Sequence, residues 1–188
     1  MVTVLRIGHR IKRDKRISTH LALVARAWGV RRIIFTGEKD ENLIESVKKI
    51  NQEWGGNFKI ESLCNDEWKT IIMNWKTEKK KIIHLTMYGE NLAEFEKTEE
   101  FKGLKKNFID LEEILIVVGG KKVPGKVFNL ANWNIAVGNQ PHSEVGALAV
   151  FLDHLMPNNM RLQFDNANKR IIPSIEGKKV YMEKTNEN

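Results

Sequence analysis

The side chains best suited to chemistry lie in two polar segments, and the first is a basic run near the N-terminus. It contains Gly8-His9-Arg10, then Arg13-Asp14-Lys15-Arg16, then Thr19-His20, and Asp14 is its only acidic residue. A carboxylate can orient a neighbouring arginine, and the planar guanidinium recognises phosphate by a two-point contact. A solvated surface is the alternative for any single basic cluster. A position beside the first core helix favours contact with nucleic acid through Arg10, Arg13 and Lys15.

The second polar segment separates an apolar strand from an amphipathic helix. It reads Gly138-Asn139-Gln140-Pro141-His142-Ser143-Glu144. Pro141 suits the first turn of a helix, and Ser143 or Glu144 can cap or complement the helix N-terminus. One cap does not need so many polar groups, and together they suit an adenine edge, a ribose or an ammonium group. Gly119-Gly120, after another apolar strand, permits close approach of a ligand, although a tight turn also explains a glycine pair.

Several classes of site lack their sequence signature. The five histidines and the single cysteine, Cys64, show no metal-ligand spacing, so we expect no metal. The P-loop, the GxGxxG fingerprint and the GxSxG nucleophile elbow are absent. A hydrolytic triad and a Rossmann-type oxidoreductase therefore have little support.

Composition limits the compartment and the partners. The chain has 188 residues, 41% hydrophobic and 29% charged, with a net charge of +7. This moderate positive charge permits a polyanionic partner. The N-terminus lacks the layout of a signal peptide, no stretch is apolar enough to span a bilayer, and one cysteine cannot form an internal disulfide. We therefore expect a cytoplasmic protein without membrane association.

The spacing of apolar residues predicts strands that alternate with helices. Strands are expected at 2–7, 32–36, 58–63, 81–86, 113–118 and 134–137. The first helix is expected from about Ser18 to Trp28, with Ile17, Leu21, Val24 and Trp28 on one apolar face. This order predicts an α/β fold with a mostly parallel sheet and ligands at the carboxyl ends of the strands. Residues 1–156 are predicted to form the main domain, and residues 157–188 a β-hairpin extension and tail.

Three segments in combination resemble a known family. They are "LRIGHRIKRDKRISTHLALVARAWG", "HLTMYG" and "VVGGKKVPGKVFNLANWNIAVGNQPHSEVGALAVFLDHL". Together they resemble the archaeal tRNA cytidine-56 2′-O-ribose methyltransferases of the SPOUT superfamily. The resemblance covers nearly the whole chain from Val2 to Leu155. Gly120 and Lys121 depart from the Gly-Ala-Glu-Lys pattern of that family.

The resemblance implies a fold, a cofactor and partners. The fold would be a SPOUT-type parallel sheet with helices on both faces and a deep C-terminal trefoil knot. The substrate would be tRNA, and the enzyme would be a homodimer with the helix at 145–156 near the interface. The cofactor would be S-adenosylmethionine, held by loops that follow three strands. Its implied contacts are Leu85, Gly119, Gly120, Lys121, Lys122, Val123, Val137, Gly138, Asn139, Gln140, Pro141, His142, Ser143 and Glu144.

The resemblance also implies an arginine on or just before the first helix, beside the ribose hydroxyl. We assign this role to Arg16, with Arg13 and Arg26 as alternatives, and His20 lies one turn beyond Arg16 to serve or orient. A ribose hydroxyl is a poor nucleophile and needs a general base or stabilisation of the forming anion. Because a guanidinium has a pKa above ~12, we expect Arg16 to stabilise the alkoxide or to bind the adjacent phosphate. The methyl sulfonium is already a good electrophile, so no metal is required.

Two alternatives stay open. One is another SPOUT methyltransferase activity, on a different RNA site or on a base. The other is a basic RNA-binding module without catalysis, against which Arg16 and the intact segment GNQPHSEV argue.

Overall fold

Strands and helices alternate along the chain in the computed structural model, which describes residues 1–107, 113–120 and 123–182. The strands of the main sheet are β1 (Val2–His9), β2 (Arg32–Gly37), β3 (Lys59–Cys64), β4 (Lys81–Asn91), β5 (Ile114–Gly119) and β6 (Trp133–Ala136). The helices are α1 (Ile11–Ala27), α2 (Glu41–Trp54), α3 (Glu67–Thr77), α4 (Leu92–Phe95), α5 (Glu99–Asn107), α6 (Lys126–Leu130) and α7 (Glu144–Leu155). A 3₁₀ helix (Pro157–Arg161) and two further strands, β7 (Lys169–Ile172) and β8 (Lys179–Met182), complete the described elements.

The six main strands form one sheet in the order β3-β2-β1-β5-β4-β6, and every neighbouring pair is parallel. Alternate residues of the central strands enter two separate cores, one on each face of the sheet. Val2 and Val4 of β1 pack in the core that includes residues of α1, α2 and α7. Leu5 and Ile7 pack in the core that includes residues of α3 and α6. The prediction of a mostly parallel sheet with helices on both faces is therefore confirmed.

The beginning of α1 differs from the prediction. The helix starts at Ile11 and not near Ser18, so Arg13-Asp14-Lys15-Arg16 of the basic run lies in its first two turns. Its buried face consists of Asp14, Ser18, Leu21, Ala22, Ala25 and Arg26, whereas Ile17 is 40% exposed. The apolar periodicity failed here because polar residues occupy the buried face of the first turns. Ser18 lies inside the helix and does not cap it. The first N–H groups of the helix donate instead to the Glu38 carboxylate and to the Arg10 carbonyl oxygen.

Helices α6 and α7 begin later than Pro124 and Pro141 suggest, since proline suits the first turn of a helix. Helix α7 begins at Glu144, with Ser143 as its N-cap, so Pro141 lies in the preceding loop and not in the first turn. Helix α6 begins at Lys126, two residues after Pro124. In both places the chain makes a longer irregular segment at the carboxyl edge of the sheet than the sequence suggested.

The predicted C-terminal hairpin is present as the antiparallel pair β7-β8. Its base is tied to α2, because Asn168 Nδ2 donates to Gln52 O at 3.0 Å and Lys169 Nζ lies 3.2 Å from Glu53 Oε2. Within residues 1–107, 113–120 and 123–182, none of the helices combines the length and the apolar character needed to cross a membrane.

Candidate active site

A cavity of about 910 Å³ opens at the carboxyl ends of β4, β5 and β6. It brings together the three loops that the sequence marked as ligand-binding. The cofactor residues predicted from the sequence that line it are Leu85, Gly119, Gly120, Val123, Val137, Gln140, Pro141, His142, Ser143 and Glu144. A cavity of this size holds a nucleoside-sized ligand.

Two of the predicted cofactor residues, Gly138 and Asn139, are exposed and are not among the residues that line this cavity. Lys121 and Lys122 lie outside the described residues. Asn139 holds the loop in place, because its Nδ2 donates to Met87 O at 3.0 Å and to Gly89 O at 3.1 Å. Gly138 has a φ of +73°, a conformation that favours glycine, and it turns the chain out of β6. Both residues therefore shape the loop without lining the cavity.

The segment before α7 is fixed by its own side chains. His142 Nε2 lies 2.6 Å from Val137 O, which folds the loop back onto the end of β6. Ser143 Oγ accepts from Val145 N at 3.2 Å and caps the helix. The segment has more polar groups than one helix cap needs. His142 and Asn139 stabilise the loop through hydrogen bonds, and Gln140 and Glu144 line the cavity.

Glu144 is held by an arginine that the site prediction omitted. Arg6, on β1, is fully buried, and its Nη2 donates to Glu144 Oε1 at 3.0 Å. The same Nη2 lies 3.6 Å from Asp14 Oδ2 on α1. Strand alternation was the available signal, because Arg6 follows Val2 and Val4 on the sheet face that α1 and α7 cover.

His84, also omitted, lines the cavity and is buried. Asn134 donates from Nδ2 to Phe128 O at 2.9 Å, so its Oδ1 faces His84 Nδ1 and accepts from it at 2.8 Å. Burial lowers the pKa of His84 below its ordinary value of 6.5, although the bond to Asn134 opposes that shift. The ring is therefore a neutral wall of the cavity at pH 7.

Helix α1 contributes one arginine to the cavity. Arg13 lines it, whereas Arg16 and His20 are exposed and lie outside it. Arg26 is buried elsewhere, where its Nε donates to Asn51 Oδ1 at 2.9 Å and its Nη2 to Gly55 O. The structure thus removes Arg26 from the candidates for a role at the hydroxyl.

The residues predicted to bind RNA lie at the N-terminus of α1, where Arg10 is the N-cap and Arg13 and Lys15 lie in the exposed first turns. Lys15 is exposed, and Arg10 lines a second cavity of about 720 Å³ that borders the first at Pro124. Asp14 orients Arg10 as predicted, because Asp14 Oδ2 accepts from the Arg10 backbone N–H at 3.1 Å and lies 3.5 Å from its Nε.

Ser18, His9 and Asp40 form a line that superficially resembles a hydrolytic triad. His9 Nδ1 lies 2.8 Å from Ser18 Oγ, and His9 Nε2 lies 3.3 Å from Asp40 Oδ2. All three side chains are buried, so no substrate reaches the serine. Burial, followed by the nearby Arg6 charge, lowers the pKa of His9. The line anchors α1 and the cap of α2 to β1, since Asp40 Oδ1 also accepts from Leu43 N.

Metal-binding clusters are absent from residues 1–107, 113–120 and 123–182, where no three histidine, cysteine or carboxylate side chains converge as a metal site would require.

Comparison with known proteins identifies the family. The family model of tRNA ribose 2′-O-methyltransferases (aTrm56) matches residues 54–181. The chain is 48% identical over 181 residues to a tRNA (cytidine(56)-2′-O)-methyltransferase of Thermococcus kodakarensis, with 96% of each chain covered. It is 47% identical over 187 residues to the enzyme of that name from Methanocaldococcus jannaschii, with 99% of each covered.

The chain belongs to the tRNA ribose 2′-O-methyltransferase family.

Solved structures agree on the fold. A crystal structure of an RNA 2′-O ribose methyltransferase has a TM-score of 0.55 at 14% identity, and the match covers 84% of this chain and 56% of that one. The SpoU methyltransferase AviRb from Streptomyces viridochromogenes, solved with the cofactor AdoMet, has a TM-score of 0.54 at 10% identity, covering 86% and 58%. The expected SPOUT fold is confirmed, and the threading of the knot stays a prediction.

Membership of this family identifies the chain as a methyltransferase that modifies tRNA. The oxidoreductase alternative loses its remaining support. The cavity at the carboxyl ends of β4, β5 and β6 is the place where the family's chemistry has room to occur.

Proposed function

We propose that this protein transfers the methyl group of S-adenosylmethionine to the 2′-hydroxyl of cytidine 56 in tRNA. The convergence of three loops and Arg13 on one cavity carries this proposal. Its two similar archaeal relatives bear the name of that activity.

The cavity wall has the groups that S-adenosylmethionine requires. Leu85, Val118 and Val137 offer apolar surface for a flat base, and Gly119 and Gly120 let the backbone approach closely. The Glu144 carboxylate supplies a negative charge for a cationic ligand, and Gln140 adds an amide. When bound, the cofactor supplies a methyl group already activated on a sulfonium.

The protein's own task is to position and polarise the ribose hydroxyl. Donors that meet the charge as it develops on the oxygen lower the barrier, and correct alignment of the reactants lowers it further. Arg13 stands at the cavity, and we keep Arg16 as the proposed stabiliser of the alkoxide, with His20 beside it. Because Arg16 lies outside the cavity of its own chain, that role requires a second copy or the bound RNA to bring the hydroxyl to it.

The remaining partners follow from the same proposal. The tRNA backbone would lie along the exposed basic turns of α1, where Arg10, Arg13 and Lys15 meet phosphates. Two copies would associate through α7, whose Gly146 and Val150 are exposed. A cytoplasmic location and the trefoil knot belong to this proposal as well.

Methyl transfer from labelled S-adenosylmethionine to a tRNA transcript tests the proposal. Nuclease mapping should place the label in 2′-O-methylcytidine at position 56. A transcript with 2′-deoxycytidine at that position is the matched control and should accept no label. Label on another nucleotide would replace the substrate site with a different SPOUT activity, and tRNA binding without cofactor binding would favour the non-catalytic module.

A further inference from the structure

Arg6 is a fully buried charged side chain directly behind the candidate active site. It does not line the cavity, but it donates to Glu144, which does. A side chain at position 120 would overlap Arg6 Nη2, so the arginine occupies the space beside Gly120, another residue of the cavity wall. Arg6 is therefore in contact with two of the three loops that form the cofactor cavity.

One nitrogen of Arg6 makes every polar contact that the guanidinium has with the described residues. Nη2 donates to Glu144 Oε1 at 3.0 Å and lies 3.6 Å from Asp14 Oδ2. Nε and Nη1 are buried and have no hydrogen-bond partner among the described residues. The position of this buried charge thus depends on two carboxylates that belong to different helices.

In the proposed function, Asp14 lies beside the residues that contact tRNA, and Glu144 lies on the wall of the cofactor cavity. Asp14 follows Arg13 in α1, and it also accepts from the Arg10 backbone N–H at 3.1 Å. Glu144 is the first residue of α7 and forms part of the cavity wall. The Arg6 guanidinium therefore links two segments of the site, the turn of α1 that carries Arg13 and the last cofactor loop. These segments are about 130 residues apart in the chain.

We propose that Arg6 is a positioning residue that holds the first turns of α1 and the start of α7 in register across the cofactor cavity. The inference rests on the proposed function and adds a residue to it. Without the Arg6 cation, the half-buried Glu144 carboxylate loses its ion-pair partner and would leave the wall. Among the described residues, the buried Asp14 would keep only Arg10 and would hold the turn that carries Arg13 less firmly.

A purely structural role is the competing explanation, and the readouts are chosen to separate the two. In Arg6→Met, which keeps the length and removes the charge, we expect S-adenosylmethionine affinity without RNA to fall at least about tenfold. We expect kcat to fall by a similar factor, and KM for tRNA to rise because the turn that loosens carries Arg13 and Lys15. Arg26→Met is the matched control, because Arg26 is a buried arginine of α1 bound to Asn51 and Gly55 away from the cavity. It should lower the melting temperature and leave cofactor affinity and kcat within about twofold of wild type.

A double-mutant cycle tests whether Arg6 acts through Glu144. If it does, the double variant Arg6→Met/Glu144→Gln loses less cofactor affinity than the product of the two single losses, because both substitutions break the same contact. A cycle of Arg6→Met with Asp14→Asn should be non-multiplicative in kcat. Factors that multiply in both cycles would overturn the proposal.

Folding is monitored in parallel by circular dichroism, and Arg6→Lys serves if Arg6→Met does not fold. The lysine keeps the charge but not the guanidinium, so we expect partial recovery of cofactor affinity relative to the methionine. An Arg6 variant that folds and binds cofactor like wild type would refute the positioning role. A wild-type protein that neither binds the cofactor nor methylates tRNA would refute the proposed function itself.

Discussion

At the residue scale, the arginines of the site differ in burial, and their burial separates their tasks. Arg6 is fully buried, Arg13 lies at the cavity, and Arg16 is exposed one turn further along α1. Only a guanidinium that reaches the reacting oxygen can meet its developing charge. The two exposed arginines therefore call for separate variants.

For Arg16→Ala we expect kcat to fall by about 100-fold or more, with S-adenosylmethionine affinity within about threefold of wild type. For Arg13→Ala we expect the main change in cofactor affinity or in KM for tRNA. Single-turnover transfer assays and calorimetric titration of the cofactor measure these quantities. The opposite pattern, with the pure kcat loss in Arg13→Ala, would move the alkoxide-stabilising role to Arg13.

Gly138 is the second position where a single residue decides the geometry of the site. The space around its missing side chain is open, so close approach by a neighbouring group does not explain this glycine. The positive φ of +73° is the physical reason for glycine. Gly138→Val should destabilise this turn by about 1–3 kcal/mol and weaken cofactor binding about tenfold or more.

Gly138→Asn is the matched control for that prediction, because asparagine adopts this backbone conformation more readily. Calorimetric titration with S-adenosylmethionine compares the two variants. Equal affinities for the valine and asparagine variants would show that the turn does not shape the cofactor loop.

At the element scale, α1 combines two functions on opposite faces. Its inner face carries Asp14 and Ser18, which bind Arg6, Arg10 and His9. Its outer face presents Lys12, Arg13, Lys15 and Arg16 to solvent. A helix whose position is fixed by buried polar contacts can present a cationic row to an RNA backbone at constant spacing.

The salt dependence of tRNA binding tests this outer face. Lys15→Ala should reduce the slope of log K against log salt by about 1, because one phosphate contact is lost. Lys49→Ala on α2, also an exposed lysine, is the control and should leave the slope unchanged. Filter binding at several salt concentrations gives both slopes, and equal slopes for the two variants would remove Lys15 from the RNA-binding surface.

At the scale of the whole molecule, α7 packs into the core on one face and leaves the other face available to a second copy of the chain. Leu148, Phe151, Leu152 and Leu155 fill the core that α1 also covers. On the outer side, Val150 is 42% exposed and Gly146 is exposed. Apolar and small residues on the outside of a helix permit close packing against a second copy.

Val150→Glu should shift the protein from dimer to monomer at micromolar concentration, because a charge would be buried in the interface. Val150→Ala should remain dimeric. Sedimentation equilibrium measures the mass, and thermal unfolding checks that the fold is intact. A dimer of unchanged stability in Val150→Glu would place the interface elsewhere.

The sequence by itself determined the alternation of strands and helices, the parallel sheet, the hairpin and the loops that form the cavity. These features follow from apolar spacing and from the polar segments at strand ends, which are local properties of the chain. The beginning of α1, the buried Arg6 and the choice of Arg13 as the arginine at the cavity were decided only by the tertiary structure. The physical reason is that the buried face of α1 is polar where it meets β1. Apolar periodicity cannot report a helix face that is stabilised by ion pairs and hydrogen bonds to residues distant in the chain.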